Sequence, residues 1–286
     1  MRLSHNMNSL RLNLGYQKTL KDNVSAIGRI SSGVKINSAK DNPNKIAQSE
    51  SMRIQIRSLQ SAQKNLQDGQ SMLQTADGAL QEANNVLARM KELAISAGDG
   101  SKTEADRSAI QAEMTTMKDT LNSLAKDTEF NGVKLIGDEN VSSNEYPSYK
   151  DTVVGAMVGE KVRIPAYNIS ASFLHNDEGN ALSDIDLTDP DKVDQAIGVI
   201  DASITSITSI RSKYGAISNR FESSAESLEQ NTLIVEKADS SLRDTDIAVE
   251  MAEFARTQIL TQTSIALIAQ SNNFPQDALK VLERIR

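Results

Sequence analysis

The sequence predicts a mostly α-helical protein: an elongated helical rod and a terminal coiled coil with a small β-containing insertion. The main observation is a heptad repeat in two segments that lie about a hundred residues apart. The repeated positions are Met52, Leu59, Leu66, Leu73, Leu80, Leu87 and Ala94, and then Val193, Ile200, Ile207, Tyr214, Phe221, Leu228, Val235, Leu242 and Val249. Apolar repeats of seven sustained this long are typical of helices that wind around one another.

Composition favours long helical interfaces over a bulky globular core. The 286 residues contain no Cys and no Trp, and only 3% are aromatic. The N-terminal residues form no apolar signal core, and no run of about 18 apolar residues occurs. We therefore expect no membrane insertion, and any export would proceed without a cleaved signal peptide.

The negative charge is concentrated in residues 138–190. The net charge is −7; this stretch holds ten acidic and three basic residues, and the rest of the chain balances at 28 of each. A nucleic-acid-binding protein needs a cationic surface to neutralise phosphates. The charge distribution thus argues against nucleic acid and predicts a well solvated surface.

The same stretch interrupts the helical pattern. It contains three of the five prolines, and the heptad repeat disappears within it. Residues 153–158 and 161–164 have the composition of short strands. We predict a small β insertion that projects from the surface between two helical arms.

The first arm is predicted to be a helical hairpin followed by a tight turn. Gly98 and Gly100 end the first helix, and Ser101 with Glu104 has the spacing of a capping box for the next. An apolar stripe then follows at Ile110, Met114, Met117, Leu121 and Leu124. After it, the Asn-Gly pair within residues 130–135 favours a β-hairpin turn.

Both chain ends are amphipathic. Residues 1–40 carry an apolar stripe on a basic segment, and residues 259–269 are rich in Ile, Leu and Ala. Neither end has enough neighbours in the chain to bury its stripe alone. We expect the two ends to pair with each other and with other copies.

Residues that could support catalysis are scarce. His5 and His175, the only histidines, lie in different zones without a ligand cluster. Asp244 and Asp246, two residues apart, would fall on different helix faces, so helix capping or surface solvation explains them better than acid–base catalysis. No phosphate-binding loop, dinucleotide turn or nucleophile elbow occurs. We expect no enzyme activity, no cofactor and no metal site.

Several ordered motifs occur towards the two ends of the chain. The N-terminal ones are residues 29–41 (RISSGVKINSAKD), 55–59 (QIRSL), 65–69 (NLQDG), 74–80 (QTADGAL), 89–94 (RMKELA), 110–113 (IQAE) and 130–135 (FNGVKL). The C-terminal ones are residues 242–248 (LRDTDIA), 258–262 (QILTQ) and 267–272 (LIAQSN). The two sets resemble the N-terminal and C-terminal regions of bacterial flagellin. The resemblance covers roughly residues 1–137 and 191–286.

The resemblance implies a structural subunit that polymerises into the flagellar filament for swimming motility. The implied domains are the inner coiled-coil domain (1–45 and 241–286), the helical rod domain (46–137 and 191–240) and a short variable surface-exposed region (138–190). The implied partners are other copies of the chain, the filament cap protein, the hook-filament junction protein, and the flagellar export chaperone and export apparatus. The implied location is the extracellular flagellum.

Pro43 and the C-terminal tail depart from the family pattern. Pro43 would break a helix, so the join between the inner and rod domains is expected to differ there. Two alternatives remain open at this point, a hook-filament junction protein and an intracellular coiled-coil adaptor or secretion chaperone.

The resemblance also implies recognition by the flagellin-sensing Toll-like receptor of vertebrates. The positions that match the family's receptor contact are Arg89, Leu93 and Glu113. Leu93 precedes a heptad position by one residue, and Arg89 and Glu113 are equally compatible with ordinary solvated helix residues. Neighbouring residues that depart from the family pattern are Ala88, Met90 and Lys91.

Overall fold

The computed structural model describes residues 6–138, 141, 143–144, 146–157, 159–176 and 178–284. In these ranges the helices are α1 (Met7–Ser32), α2 (Pro43–Ala97), α3 (Glu104–Asp127), α4 (Val193–Arg243) and α5 (Ile247–Arg284). Strands β1 (Ser148–Val153) and β2 (Lys161–Ala166) form one antiparallel sheet. The predicted mostly α fold with a small β insertion is confirmed. The sequence-based domain boundaries remain predictions.

The chain divides into two compact units. Unit 1 comprises Met1–Ile56 and Leu233–Arg286, and unit 2 comprises Arg57–Thr232. Helices α2 and α4 each contribute residues to both units. The first five and the last two residues of unit 1 lie outside the described part of the chain, as do residues 139, 140, 142, 145, 158 and 177 of unit 2.

The two heptad series form the core between α2 and α4 in unit 2. Positions 59 to 94 of the first series and 193 to 228 of the second are buried throughout. The helices run antiparallel, with Asp77 bonded to Arg211 at 2.8 Å and Lys91 to Asp201 at 2.6 Å. The second series does not extend to Val249, which is 64% exposed, because α4 ends at Arg243.

The α2–α3 hairpin is confirmed, but its cap lies two residues later than expected. Thr103, not Ser101, is the N-cap, and Asp106 rather than Glu104 completes the capping box. The Thr103 hydroxyl accepts from the Asp106 amide at 3.3 Å, and the Asp106 carboxylate accepts from the Thr103 amide at 3.0 Å. An Asp three residues after the N-cap therefore performs the role that Glu usually has.

The predicted Asn-Gly turn is confirmed. Phe130 and Val133 exchange two backbone hydrogen bonds of 3.0 and 2.9 Å. Asn131 and Gly132 between them have φ values of 49° and 77°. Both central residues thus adopt the left-handed conformation that an Asn-Gly pair tolerates well.

The prediction for the first strand is wrong, whereas the second is placed well. Strand β1 ends at Val153, and the chain turns back so that the Val154 amide donates to the Glu160 carbonyl at 2.9 Å. Gly159 lies in this turn with a φ of 99°. The apolar side chains that suggested a strand over 153–158 therefore belong to a strand end and a turn. Residue 158 lies outside the described residues.

The insertion is not the projection without a packing role that the sequence suggested. Its buried apolar residues include Val141, Val162, Ile164, Ala166, Tyr167, Ile169, Ala171, Leu174, Leu182, Ile185 and Leu187. The buried Tyr214 hydroxyl on α4 lies 3.0 Å from the Pro165 carbonyl and 3.1 Å from the Leu135 carbonyl, and donates to them. Burial raises the pKa of Tyr214, so this hydroxyl stays protonated and can donate.

Side chains of α3 hold the backbone of the insertion. Lys118 donates to the carbonyls of Ser183 and Ile185 at 2.9 and 2.8 Å. Gln111 donates to the Ile185 carbonyl, and Asn122 accepts from the backbone amide of Ala171. Burial lowers the pKa of Lys118. The buried positions within 162–187 therefore give this segment a packing role in unit 2, while the predicted surface-exposed region over 138–190 stays a prediction.

Candidate assembly surface

Helices α1 and α5 pair in antiparallel orientation within unit 1. The side-chain amide of Asn6 donates to the Ser271 carbonyl at 2.9 Å, and the side-chain amide of Asn23 donates to the Thr257 hydroxyl at 3.0 Å. The same register brings the Arg29 guanidinium to the Glu250 carboxylate at 2.8 Å. The expected pairing of the two chain ends is confirmed over these contacts.

This pair buries very little of its own surface. Of its described side chains, only Ala26 and Thr257 are buried, at 0% and 1% exposure. The large apolar residues that remain exposed are Met7, Leu10, Leu14, Leu20, Val24 and Ile27 on α1, and Ile247, Val249, Met251, Ile259, Leu260, Ile265 and Leu267 on α5. We call these residues the apolar faces of α1 and α5. Exposed apolar surface of this extent typically marks a site of association.

The segment that follows α1 is hydrogen-bonded to the segment that joins α4 to α5. The Lys35 amide donates to the Arg243 carbonyl at 2.7 Å, and the Thr245 amide donates to the Gly33 carbonyl at 3.1 Å. These bonds form an antiparallel bridge, which we call the clasp, between residues 33–35 and 243–245. Gly33 ends α1 with a φ of 70°, a conformation that favours glycine.

Helices α2 and α5, which follow the two segments of the clasp, each begin with a side-chain cap. Pro43 is the first residue of α2, and the Asn42 side chain accepts from the Lys45 amide at 3.1 Å. Pro43 therefore starts a helix rather than breaking one, since proline suits the first turn of a helix and α1 already ends at Ser32. The expected difference from the family at this join stays a prediction. Asp246 accepts from the Ala248 amide at 2.9 Å, in agreement with the capping role predicted for it.

Four charged side chains surround the clasp. Arg29 donates to Glu250 Oε1, which also accepts from the Thr245 hydroxyl at 3.2 Å. Arg243 Nη1 lies 3.6 Å from Glu50 Oε1. The hydrogen bond from Arg29 holds the pKa of the Glu250 carboxyl below its ordinary value. Arg29 and Glu250 are 221 residues apart in the sequence, so no local pattern could have indicated their contact.

Acid is expected to weaken the α1–α5 pair through Glu250. A carboxyl whose pKa is lowered by folding contributes stability above its ordinary value of 4.5, and this contribution is lost as the pH falls through the lowered value. Because the chain has no Cys, dyes placed at Gln17→Cys and Thr263→Cys can report the pairing by energy transfer. We expect transfer to fall below pH 4.5, and to fall less steeply in Glu250→Gln. Equal acid profiles for both proteins would contradict this role of Glu250.

The three residues predicted to contact a receptor lie together on α2 and α3 in unit 2. Arg89 Nη2 lies 2.8 Å from Glu113 Oε1, and Arg89 Nη1 lies 2.9 Å from Glu92 Oε2. The Arg89 side chain is 51% exposed and that of Glu113 is 42% exposed. Leu93 is only 5% exposed, so it supports the helix packing beneath this pair. The hydrogen bonds that Arg89 donates to the carboxylates of Glu113 and Glu92 raise the pKa of Arg89.

The described residues contain no catalytic arrangement. No group of three or more His, Asp or Glu side chains among them is placed to hold a metal ion. A cleft of about 530 Å³ between α2, β1 and the Asn131 turn is lined by Asp68, Asp151 and Thr152 and has no histidine among its lining residues. In the part of the chain that is described, no helix is apolar enough over a sufficient length to span a bilayer. The fold and its exposed faces thus define a helical structural subunit.

Comparison with known proteins identifies the family. Residues 3–140 match the bacterial flagellin N-terminal helical region, and residues 197–282 match the bacterial flagellin C-terminal helical region. The "Flagellar filament 30.7 kDa core protein" of Treponema maltophilum is 34% identical over 287 residues, covering 99% of this chain and 100% of that protein. The flagellin of Halalkalibacterium halodurans is 35% identical over 285 residues, with the same coverage of both chains.

A solved structure shares the fold at lower sequence identity. The structure of a putative flagellar hook-associated protein from Vibrio parahaemolyticus has a TM-score of 0.62 and 17% identity, covering 71% of this chain and 100% of that one. The chain described above belongs to the bacterial flagellin family. It is a structural protein of the flagellum and not an enzyme.

Proposed function

We propose that this protein is the filament subunit for swimming motility and that the apolar faces of α1 and α5 form its contacts with neighbouring copies. The observation that carries the proposal is the unit 1 pair, which buries only two of its described side chains and exposes apolar residues on both helices. Covering one such side chain contributes about 1.5–3 kcal/mol. A row of exposed apolar side chains on each helix therefore makes the free energy of association strongly favourable.

The proposal includes a route to the cell exterior. The chain would be delivered by an export chaperone to the flagellar export apparatus and would leave the cell through it. It would then add to the growing filament beneath the cap protein, with the hook-filament junction proteins at the other end of the filament. No cleaved signal peptide is involved in this route. The amphipathic ends suit such a route, because they can remain unfolded until neighbouring copies order them.

Electron microscopy of sheared surface filaments tests the assignment. Filaments sheared from cells should contain this chain as their main component in negative-stain images and by mass spectrometry, and cells lacking it should have no filament and should not swim. An intracellular adaptor or secretion chaperone would instead stay in the cell fraction. A hook-filament junction protein would be confined to the filament base, and likeness to a hook-associated structure at 17% identity reflects the fold alone.

We further propose that the monomer binds the flagellin-sensing Toll-like receptor of vertebrates through Arg89 and Glu113. The support is geometric, because Glu113 and Glu92 hold the Arg89 guanidinium in a fixed position on an exposed surface. A planar guanidinium in a set orientation is a common anchor at interfaces. Leu93 would contribute by shaping the helix pair, since it is almost fully buried.

Replacing Arg89 by Ala is expected to weaken receptor binding at least tenfold, because loss of an arginine anchor often costs about 2 kcal/mol or more. The measurement is binding of the purified monomer to an immobilised receptor ectodomain. Arg211→Ala is the matched control, since it also removes an interhelical ion pair from unit 2, that with Asp77. Equal affinities for wild type and Arg89→Ala would eliminate the proposed site, and equal losses in both variants would indicate a general effect on unit 2.

A further inference from the structure

The methionines of the chain differ sharply in exposure, and two exposed ones lie on the apolar faces of α1 and α5. Met7 on α1 is 60% exposed, and Met251 on α5 is 50% exposed. In the described part of the chain, Met157 is also exposed, at 69%, and Met52 and Met117 are half-buried. The methionines buried in unit 2 are Met72, Met90 and Met114. An exposed thioether is open to reagents in solution, whereas a packed one is shielded.

Methionine is the side chain of this protein that a mild peroxide oxidises most readily, because the sequence contains no Cys and no Trp. The thioether sulfur attacks one peroxide oxygen and the O–O bond breaks. The sulfur keeps that oxygen, and the second oxygen leaves with both peroxide protons as water. Two electrons pass from the sulfur to the peroxide. The product is a sulfoxide, which is a polar side chain and can be reduced back to methionine by sulfoxide reductases.

A sulfoxide at either position would be costly to cover. Leu10 and Leu14 follow Met7 at helical spacings on α1, and Ile247 precedes Met251 by four residues on α5, so both methionines have aliphatic neighbours on their own face. These neighbours offer no hydrogen-bond donor to the sulfoxide oxygen. A polar group that is removed from water without a partner opposes the burial. Oxidation of Met7 and Met251 should therefore weaken association through both faces.

Both sulfurs are accessible before assembly, whether or not the chain ends are already paired. In the α1–α5 pair half or more of each side chain is exposed. In unfolded chain ends the same side chains would be exposed more completely. Neighbouring copies that cover the two faces would exclude the oxidant. Accessibility of Met7 and Met251 is therefore a property of the free subunit under either description of its ends.

We propose that Met7 and Met251 form a redox modification site, at which oxidation by a peroxide keeps the free subunit from joining the filament. Incorporation protects both residues, so filaments that already exist are spared. Reduction of the sulfoxides returns the subunit to the form that assembles. This inference rests on the proposed assembly through the apolar faces of α1 and α5.

Hydrogen peroxide treatment of the soluble full-length chain tests the site. The test variant is Met7→Leu with Met251→Leu, and the matched control is Met157→Leu, because leucine replaces methionine with little change of volume. After oxidation, verified by peptide mass spectrometry, the critical concentration for filament growth should rise at least about tenfold in wild type and in Met157→Leu. It should change by less than about twofold in the double variant. Methionine sulfoxide reductases of both stereospecificities should restore wild-type assembly.

The protein as assembled provides a second measurement. Met7 and Met251 should be oxidised at least about fivefold more slowly in filaments than in the free chain, because oxidation follows exposure. Equal rises of the critical concentration in wild type and the double variant would overturn the proposal. No rise after complete oxidation of both residues, no recovery on reduction, or equal oxidation rates in filaments and free chain would also overturn it. Each of these results leaves the proposed function intact, since the untreated chain still assembles; an untreated chain that forms no filaments would overturn both.

Discussion

Replacing residues 145–185 with a short Gly/Ser linker is expected to unfold much of unit 2 at physiological temperature. The replacement removes both strands and many of the buried side chains of the insertion, and it exposes the part of α3 beneath them. Each buried apolar side chain contributes about 1.5–3 kcal/mol, against a total stability of about 5–15 kcal/mol for a typical domain. The linker replacement also removes the carbonyls of Ser183 and Pro165, which accept hydrogen bonds from the Lys118 ammonium and the Tyr214 hydroxyl.

Circular dichroism during heating provides the measurement, with loss of the cooperative helical transition as the expected result. The control is Tyr149→Ser with Val153→Thr, two changes on the exposed side of β1 that should alter the melting temperature by only a few degrees. Tyr149 is 58% exposed and Val153 is 43% exposed. A linker variant that melts like the wild type would mean that the contacts of the insertion contribute nothing to unit 2.

The sequence alone led to the opposite expectation for this insertion, for a physical reason. Prolines, acidity and the loss of periodicity describe local backbone preference and solvation, and they correctly located the end of the helical pattern. Burial of the insertion depends instead on contacts with α3, such as that of Lys118 with Ser183, 65 residues away. A lysine on a helix ordinarily predicts an exposed position, so nothing in the local pattern indicated this role.

The helical core was predictable because its signal is local and repeated. Leu66, Leu80 and Phe221 lie where the heptad spacing placed them, and Asn131 with Gly132 forms the expected turn. Prediction was weaker at element ends, as the shifted cap at Thr103 illustrates, because neighbouring residues compete for the same capping bonds. The apolar stripes of the chain ends predicted an unsatisfied surface, while the clasp and its charges depend on contacts between opposite ends of the chain.

Deleting residues 250–286 is expected to abolish filament formation and leave a soluble monomer. The deletion removes nearly all of α5, including Glu250 and Thr257, so α1 loses its partner together with the apolar face opposite it. Most helical stability in proteins comes from tertiary packing rather than from intrinsic propensity, so α1 without its partner should become largely unfolded. Unit 2 contains none of the deleted residues and should keep its helical transition. Sedimentation and negative-stain microscopy measure assembly, and circular dichroism measures the retained helix.

Point changes on α5 separate loss of pairing from loss of the association surface. Ile259 and Ile265 are 62% and 53% exposed, and neither makes the side-chain contacts with α1 described above. Ile259→Ser with Ile265→Ser should preserve energy transfer between α1 and α5 yet raise the critical concentration at least tenfold, because each uncovered side chain contributes about 1.5–3 kcal/mol. The matched change Thr263→Ser on the same helix should leave assembly unaltered. Long filaments from the 250–286 deletion, or an unchanged critical concentration in the double isoleucine variant, would show that the apolar face of α5 is not what joins the copies.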